Sequence, residues 1–509
     1  MSNPAAPLDL TDAPGSSAVP EAAPARRGAM LYLMASLAGQ VVALVRYVIL
    51  ARMLGPDQLG LAATLVVTAA FFDLISETGS DRFLIQDRHG NQPEVQDLVQ
   101  LVYVTRGVMI AVALAVFAIP LSMFYRAPQL AWGFVILGLI RVVLGFTHLD
   151  MRRMQRELDF RPEAVNTLIS ETAGLAATGV AAWLTRDFTS ILYGLAFRAV
   201  VSVAYSHLSA SRRYGLKWSR EHGPRLTRFA IPLVMTGLML FVGTQGDRMM
   251  VGNRLGPRAL GEYSAIMLLI YSPAAVILRY MHAIYVPLVA VGRDDRVLRN
   301  TVSDRLGGQT VLLGLAMSAG FALVAPVMIP LLYGGRFAQS ALLVGLVGIL
   351  VTTRFLINWP TTVALSMGRS RTVLFSNLSR LSVFPLALAG MALFGGLAGL
   401  VSGFVGGEML SVGISLALLN RDAERPMTTG FDRFAIFISG SALIVAWDLA
   451  LAGPVDLTRY LGLSVLTLLL AVWLVRRERF VISESLTMAE TTATAARRRL
   501  GLSPSRRPT

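Results

Sequence analysis

Seven arginines lie inside long apolar stretches of the sequence, where a charge is costly. A charge near the middle of a bilayer costs about 2.5–3.5 kcal/mol, so such a side chain faces a partner or a water-filled cavity. The planar guanidinium group donates two parallel hydrogen bonds to a phosphate, and its charge does not titrate away. We therefore interpret this set as candidate ligands of an anionic substrate: Arg46, Arg106, Arg141, Arg198, Arg279, Arg354 and Arg380.

Acidic side chains are fewer in the same stretches. Any single arginine has a simpler alternative role, because it can pair with an acid and hold two helices together. The arginines outnumber the deep acids, and this excess favours an anionic ligand. The spacing of Asp73, Glu77 and Asp81 predicts a stack along one helix face. Buried carboxylates that take up a proton are candidates for ion coupling, and this set comprises Asp73, Glu77, Glu171 and Glu408.

The composition is that of a membrane protein without thiol chemistry. Apolar residues make up 54% and charged residues 15% of the 509 residues, whereas about a quarter of the residues are charged in soluble proteins. The count of 0 cysteines excludes disulfides, thiolate metal sites and cysteine nucleophiles. Lys217 is the only lysine and follows Leu216, which excludes a phosphate-binding P-loop. We expect no metal, no cofactor and no nucleic-acid partner.

Fourteen apolar segments are long enough to cross a hydrocarbon core of about 30 Å, which takes about 20 helical residues. Lipid offers no hydrogen-bond partners, so each crossing segment must be a helix. The sequence therefore predicts an all-α polytopic membrane protein with about 14 transmembrane helices. The segments lie near 29–54, 60–84, 98–122, 130–151, 162–184, 188–210, 226–252, 260–289, 304–332, 338–362, 372–394, 397–420, 431–452 and 456–476.

A seven-residue motif, L-G-P-x-x-L-G, occurs twice and indicates an internal repeat. It spans residues 54–60 and 255–261, and each copy closes one apolar segment and opens the next. Gly55 and Gly256 can end a helix with a positive φ, and the prolines that follow cannot continue that helix. We therefore predict two tight turns and two related halves in tandem.

Basic residues are distributed unevenly among the connections between segments. Most arginines of the connections lie in the N-terminal arm, in the even-numbered connections and in the C-terminal tail. The positive-inside rule then places both termini in the cytoplasm. The odd-numbered connections are short and leave no room for an outer catalytic domain, which disfavours a membrane enzyme. Both repeated turns fall on the outer face, where we predict that Asp57 and Arg258 meet across a closed outer gate.

Three stretches resemble bacterial polysaccharide flippases of the multidrug/oligosaccharidyl-lipid/polysaccharide exporter superfamily. The run Val48–Gly60, followed by an apolar helix, is similar to the opening of those proteins. The run Arg156–Arg161 looks like their basic cytoplasmic link, and Asp247–Ser264 looks like their passage from helix 7 to helix 8. The resemblance covers about residues 28–476, and its short motifs identify the superfamily better than the substrate.

The resemblance implies two six-helix lobes that face each other across a central cavity, with two extra C-terminal helices. On that plan the chain divides into a disordered cytoplasmic arm, an N-terminal lobe, a basic linker, a C-terminal lobe, two additional helices and a basic cytoplasmic tail. These parts correspond to residues 1–27, 28–211, 212–225, 226–421, 422–477 and 478–509.

The resemblance also implies a function. Members of the superfamily move an undecaprenyl-diphosphate-linked oligosaccharide from the cytoplasmic to the periplasmic leaflet of the bacterial inner membrane, for exopolysaccharide, capsule or lipopolysaccharide synthesis. Transport by alternating access draws on a proton or sodium gradient and breaks no bond, so we expect a transporter and not an enzyme. The cavity arginines would bind the diphosphate. Candidate partners are the lipid-linked oligosaccharide, membrane lipid, and polysaccharide polymerase and export proteins.

Three alternatives remain open. A lipid II flippase and a multidrug exporter would use the same fold, and a polysaccharide polymerase would be a membrane enzyme of the same pathway. An exporter of organic cations should have an acid-dominated cavity, whereas this sequence predicts one dominated by arginine.

Overall fold

The computed structural model describes residues 22–291, 295–426 and 428–451, together with positions 465 and 472. Across these ranges the chain consists of α-helices and short 3-10 turns, with no β-strand. The predicted all-α architecture is confirmed. Most of the predicted N-terminal arm, the C-terminal tail and nearly all of the segment near 456–476 lie outside the described residues.

Eight helices precede the basic linker. The first of them begins earlier than predicted, at Ala22 inside the predicted disordered arm, where alanines favour a helical backbone. A 3-10 turn at Pro128–Leu130 precedes the fifth helix. The helices are α1 (Ala22–Ile75), α2 (Ser80–Gln86), α3 (Pro93–Val116), α4 (Ala118–Phe124), α5 (Ala131–Gly145), α6 (Asp150–Arg156), α7 (Arg161–Thr185) and α8 (Thr189–Leu208).

Eight further helices follow the linker within the described part of the chain. Two 3-10 turns, Gly335–Phe337 and Arg380–Ser382, lie among them. The helices are α9 (Gly223–Val291), α10 (Arg296–Tyr333), α11 (Ala341–Leu356), α12 (Asn358–Ser366), α13 (Ser370–Ser379), α14 (Val383–Phe394), α15 (Gly396–Asp422) and α16 (Phe431–Leu451).

Among the described residues, 10 helical stretches are long and apolar enough to cross a membrane. The stretches Met30–Ile75 and Gly223–Arg279 each contain two predicted segments, because the helix continues through a kink. The helix α7, which the sequence predicts to cross, is not among them. The polytopic helical fold is therefore confirmed, and the number of 14 crossings stays a prediction.

The two repeated turns have the same backbone geometry. Gly55 has φ 77° and ψ 176°, and Gly256 has φ 84° and ψ −179°. Both residues occupy the positive-φ region that favours glycine, as predicted. Each glycine interrupts the helical backbone of its own long helix. The resulting kinks divide α1 and α9 into two arms each.

The halves pack against each other through these turns. A Cβ atom on Gly60 would lie 1.7 Å from the carbonyl oxygen of Pro257, and one on Gly261 would lie 2.2 Å from that of Pro56. Each glycine therefore admits the backbone of the other half at a distance that no side chain would allow. Leu260 beside this contact is 0% exposed. The hydrophobic core is consequently continuous from one half to the other at this end of the bundle.

The segment between α8 and α9, residues 209–222, is docked on the first half. The amide of Ser211 donates to Asp150 Oδ2 at 2.8 Å. The side-chain amide of Gln100 donates to the Gly215 carbonyl, also at 2.8 Å. The His148 ring lies against this segment, with its Nε2 atom 3.1 Å from the Arg212 carbonyl oxygen.

Candidate functional site

A cavity of about 1020 Å³ lies between the two halves. Its walls come from both arms of α1 and α9, from α8, α11, α12 and α13, and from the 3-10 turn that contains Arg380. The contact between Gly60 and Pro257 closes the space between the halves on the side of the repeated turns. Four of the seven predicted arginine ligands line this cavity: Arg46, Arg279, Arg354 and Arg380.

The other three predicted ligands lie elsewhere. A second cavity of about 320 Å³ lies inside the first half and is lined by Arg106, Arg141 and Arg198. Only residues of α1, α3, α5, α6, α7, α8 and the α5–α6 loop form its wall. The prediction of a single cavity for all seven arginines is therefore wrong. A bundle of this size encloses polar space within one half as well as between the halves, and helix periodicity does not separate the two.

In the second half, two arginines and two acids form a buried network. Arg354 Nη1 lies 3.1 Å from Asp247 Oδ2, and Arg354 Nε lies 2.9 Å from Glu408 Oε1. Arg380 Nη2 lies 2.8 Å from the same Glu408 oxygen. The Tyr263 hydroxyl donates to Asp247 at 2.5 Å. Asp247 and Glu408 are 1% and 2% exposed, so partners of this kind must offset the cost of removing the carboxylates from water.

In the first half, one acid serves two arginines. Glu171 Oε2 lies 3.3 Å from Arg46 Nη1, and Glu171 Oε1 lies 2.9 Å from Arg198 Nη2. Arg46 reaches the central cavity and Arg198 the inner one, so Glu171 stands between the two spaces. This cluster carries one more positive than negative charge.

Two further ion pairs bind the remaining predicted residues of the first half. Arg141 Nη2 lies 2.7 Å from Asp73 Oδ2, and Arg106 Nη2 lies 3.3 Å from Glu77 Oε2. Arg106 also donates to the Asp73 carbonyl at 2.6 Å. Six of the seven predicted arginines thus pair with acids, which is the alternative role, that of holding helices together, described for any single arginine in the sequence analysis. Arg279 has no ion pair with any residue that the structure describes.

The predicted acidic stack on the second crossing segment is wrong. The helix α1 ends at Ile75, and the chain turns before α2 begins at Ser80. Gly79 adopts φ 61°, and its amide donates to Glu77 Oε1 at 2.9 Å. A glycine in the left-handed region breaks the helical periodicity on which the stack depended.

Two residues of the central site did not follow from the sequence alone. Neither Asp247 nor Arg248 is in the predicted sets of acids and arginines, yet Asp247 is buried and Arg248 lines the central cavity. Equivalent positions in the two halves are 201 residues apart, as Leu54 of the first motif and Leu255 of the second show. The same offset relates Arg46 to Asp247, so the repeat could have predicted that Asp247 lies at the same depth as Arg46.

The closed end bears the two predicted gate residues. Arg258 Nη1 lies 4.0 Å from Asp57 Oδ2, and both side chains are exposed. Arg258 also lies 3.3 Å from Glu262 within its own helix. Their role as a gate stays a prediction, but the structure brings the two side chains together.

The described residues provide no metal site, because no group of three or more His, Cys, Asp or Glu residues is placed to hold an ion. The central cavity instead offers guanidinium groups. Arg248 and Arg279 line it without an ion pair to any described acid, and Arg46, Arg354 and Arg380 present paired guanidinium groups. Such a surface suits an anionic ligand of substantial size.

Comparison with known sequences identifies relatives. A family of polysaccharide biosynthesis proteins matches residues 49–342. The succinoglycan biosynthesis transport protein ExoT of Rhizobium meliloti is 28% identical over 305 residues, which cover 59% of this chain and 61% of that protein. The lipopolysaccharide biosynthesis protein WzxC of Escherichia coli is 23% identical over 296 residues, 58% of this chain and 60% of that protein. The chain thus matches less than two thirds of the length of either relative.

Solved structures share the fold. The lipid II flippase MurJ in an inward closed conformation aligns with a TM-score of 0.62 and 12% identity, over 88% of this chain and 99% of that chain. An inward-facing multidrug resistance MATE family transporter of the MOP superfamily aligns with a TM-score of 0.60 and 13% identity, over 81% of this chain and 99% of that chain. At these identities the likeness concerns the fold alone. Because the family match spans more than half of the sequence, the chain belongs to the polysaccharide biosynthesis protein family.

Proposed function

We propose that the protein moves a lipid-diphosphate-linked oligosaccharide from the cytoplasmic to the periplasmic leaflet of the bacterial inner membrane by alternating access. The observation that carries this proposal is the central cavity, which lies between two related halves and is lined by arginines. Phosphates and sugars lose too much hydration to cross hydrocarbon unaided, whereas a lipid tail can remain in the bilayer. A polar passage between the halves serves both parts of such a cargo.

The charges of the cavity favour a diphosphate. Arg46, Arg354 and Arg380 are held in place by carboxylates, so their guanidinium groups are oriented before a ligand arrives. Arg248 and Arg279 add positive charge that no described acid pairs with. An arginine can donate two parallel hydrogen bonds to each phosphate, and the interaction gains strength in a partly dehydrated site.

Ion coupling follows from the same pairs. A diphosphate that binds Arg354 and Arg380 would compete with Glu408 for both arginines and leave this buried carboxylate without its partners. A buried, unpaired carboxylate costs more free energy than the neutral, protonated acid. Proton uptake would then accompany binding, and Glu171 would act likewise through Arg46. We assign Asp73 and Glu77 a secondary role, because they face the inner cavity and the adjacent turn. A sodium gradient is the other candidate driving force.

A glutamate-to-glutamine exchange tests this coupling. Glu408→Gln keeps the shape of the side chain and removes its charge, so flipping should lose most of its dependence on an imposed proton gradient. Glu262→Gln, at the closed end and outside the cavity wall, is the matched control and should keep that dependence. Unchanged gradient dependence in Glu408→Gln, at equal protein yield, would exclude proton coupling through this residue.

The architecture supports two lobes, residues 28–211 and 226–421, that rock about the linker 212–225. With both termini in the cytoplasm, the repeated turns face the periplasm and Asp57 and Arg258 lie at the outer gate. The helix α16, which follows the second lobe, packs on α10 and α11. The polymerase and export proteins of the pathway are the expected partners.

The alternatives differ in cargo or in chemistry. A multidrug exporter of organic cations would need a cavity in which free acids outnumber free arginines, and the central cavity has the opposite balance. A lipid II flippase would handle the same diphosphate with another glycan. A membrane enzyme would need a catalytic group near an outer domain, and the described connections at the turn side, such as Tyr125–Pro128, are short.

Reconstitution into vesicles tests the proposal. We expect the protein to move a polyprenyl-diphosphate-linked oligosaccharide between leaflets without ATP, with an imposed proton or sodium gradient. Lipid II serves as the competing cargo, and an organic cation as the competing class. Faster movement of lipid II would favour the first alternative, and no movement of either diphosphate cargo would refute the proposal. Cleavage or extension of the glycan in the same vesicles would indicate an enzyme.

A further inference from the structure

Three buried polar groups at the closed end of the central cavity have no hydrogen-bond partner among the described residues. They are the Tyr47 hydroxyl, Arg248 Nε and the Ser264 hydroxyl. All three residues line the cavity. Ser264 is 4% exposed. A buried polar group without a partner costs about 1–3 kcal/mol, so native proteins satisfy such groups with ordered water or with a ligand that displaces it.

The three groups share one level of the cavity. Tyr47 precedes Gly55 by 8 positions, Arg248 precedes Gly256 by 8, and Ser264 follows Gly256 by 8. At about 1.5 Å per helical residue, each lies about 12 Å from the kink of its own half. The Tyr47 hydroxyl is within electrostatic reach of Arg248 and close enough to the Ser264 hydroxyl to interact with it, although the two hydroxyl groups do not meet hydrogen-bond geometry. A tyrosine of the first half thus faces an arginine and a serine of the second.

Arg279 lies at a different level of the same cavity. It follows Gly256 by 23 positions, which corresponds to about 35 Å along the helix, or about the thickness of a hydrocarbon core. Its side chain is exposed and lines the cavity wall, and His282 lies one turn further along. With the repeated turns at one membrane surface, as the proposed function requires, an arginine at this distance would lie near the phosphates of the opposite leaflet.

We propose that the cavity contains two subsites for the entering cargo: Arg279 at the mouth binds the diphosphate before it reaches Arg354 and Arg380, and Tyr47, Arg248 and Ser264 at the closed end bind a distal sugar that carries a carboxylate. This inference rests on the proposed function and extends it to the class of glycan. The guanidinium group of Arg248 pairs with the carboxylate, and the two hydroxyl groups bond to ring hydroxyls. The separation of the levels leaves room for a glycan to extend from the lipid end toward the closed end.

Three synthetic ligands separate the two subsites in equilibrium binding measurements. They are farnesyl diphosphate, the same lipid carrying a neutral disaccharide, and the same lipid carrying a disaccharide that ends in glucuronic acid. The protein should bind the acidic glycolipid about ten-fold more tightly than the neutral one, which corresponds to one good charged contact. It should bind the neutral glycolipid more tightly than farnesyl diphosphate.

Substitutions at each level should have different signatures. Arg279→Gln should weaken all three ligands by the same factor. Arg248→Gln should abolish only the preference for the acidic sugar, and Tyr47→Phe with Ser264→Ala should abolish only the gain from the disaccharide. Arg254→Gln, on the same helix and outside the cavity wall, is the control and should bind like the unaltered protein. Thermal unfolding of each variant identifies any general loss of structure.

Two outcomes overturn the inference while the proposed function stands. One is equal binding of all three ligands by the unaltered protein, and the other is a uniform weakening of all three by Arg248→Gln in a stably folded variant. Failure of the unaltered protein to bind any of the three ligands would instead refute the proposed function itself.

Discussion

The two halves of the molecule make the same contacts at the end that carries the repeated turns. Gly60 meets Pro257, and Gly261 meets Pro56. Arg52 Nε donates to the Leu332 carbonyl near the end of α10 at 2.7 Å, and Asn253 donates to the Phe124 carbonyl at the end of α4, also at 2.7 Å.

These contacts are reciprocal because of the repeat. Adding 201 positions converts Arg52 into Asn253, so equivalent residues reach across to the opposite half. The same offset relates Asp57 to Arg258, which lie 4.0 Å apart with opposite charges. A pseudo-twofold arrangement of this kind closes one end of the bundle with equivalent elements from the two halves.

The interior of the two halves differs at equivalent positions. Arg46 in the first half corresponds to Asp247 in the second, and Tyr47 corresponds to Arg248. Arg46 lies against an acid of its own half, whereas Asp247 lies against Arg354 of its own half. The duplicated scaffold therefore supplies the closure, and the differences between the halves supply the polarity of the cavity.

The largest expected difference between the halves concerns their buried ion pairs. Arg354→Ala leaves Asp247 and Glu408 without a shared partner, and breaking such a buried network costs about 3–5 kcal/mol. Arg46→Ala should cost less, because Glu171 keeps Arg198. Thermal unfolding in detergent measures both. Arg279→Ala is the control, since no described acid depends on it. Equal destabilisation by Arg46→Ala and Arg354→Ala would remove this contrast.

Transport separates the role of Arg354 in binding from its role in stability. A folded fraction of Arg354→Ala should fail to move a diphosphate-linked cargo, and Arg354→Lys should keep the fold better than it keeps transport, because an ammonium group cannot form the bidentate contact. Normal transport by both variants would exclude Arg354 as a ligand of the diphosphate.

The glycine contacts at the turns should be nearly as sensitive as the ion pairs. In Gly60→Ala and in Gly261→Ala the new methyl group would collide with a backbone carbonyl, so the closed end cannot form as it stands. Overpacking of this kind costs about 1–3 kcal/mol, and cycling between states should slow by about ten-fold or more. The two variants should behave alike, because the contacts are reciprocal.

The chain's lack of cysteine makes this measurable. A single cysteine at position 57 should react faster with a membrane-impermeant maleimide in either glycine variant than in the parent protein. Gly179→Ala is the matched control, because a Cβ atom there meets no atom within 4 Å. If only one of the two glycine variants opens the turn end, the closure is not reciprocal.

The sequence was informative about the turns and less so about the cavities. Positive φ at Gly55 and Gly256 followed from local chemistry, since few residues other than glycine end a helix ahead of proline. The partner of each buried arginine did not follow, because Arg354 meets Asp247 from 107 positions away. Helix periodicity gives the face of a residue but not the neighbouring helix, so Arg141 could not be assigned to the inner cavity.

In the first half, His148 contacts the docked segment, residues 209–222, and we expect this contact to depend on pH. The Asp150 amide donates to His148 Nδ1 at 3.2 Å, so that nitrogen must be unprotonated in the docked state. Burial, and then the neighbouring His207, lower the pKa of His148 below its ordinary value of 6.5, although Asp150 and Asp97 act in the opposite direction. Tyr214 of the docked segment also faces the ring, at 5.4 Å between centroids.

The sign of the effect follows from this lowered pKa. His148 binds a proton more readily when the segment is free than when the segment is docked. Docking is therefore fully stable above about pH 6.5 and weakens as the pH falls toward the lowered pKa of His148. The protection factors of the amides of residues 209–222 against hydrogen exchange should therefore fall between about pH 7 and pH 5. The His148→Gln variant should lose this dependence, and an unchanged profile in that variant would assign the effect to another group.

The smallest expected effect concerns Asp57 and Arg258, the exposed pair at the closed end. Their side chains are 68% and 66% exposed, and an exposed ion pair contributes about 0–1 kcal/mol. Asp57→Arg or Arg258→Asp alone should slow flipping by less than about five-fold, and the double exchange should restore the parent rate because it restores the opposite charges. A short bifunctional thiol cross-linker should join cysteines at 57 and 258 in the state described here and block flipping. If cysteines at 57 and 258 never cross-link in any state, the gate is refuted. If the double exchange flips cargo no faster than either single exchange, the turns meet through their glycines and not through these charges.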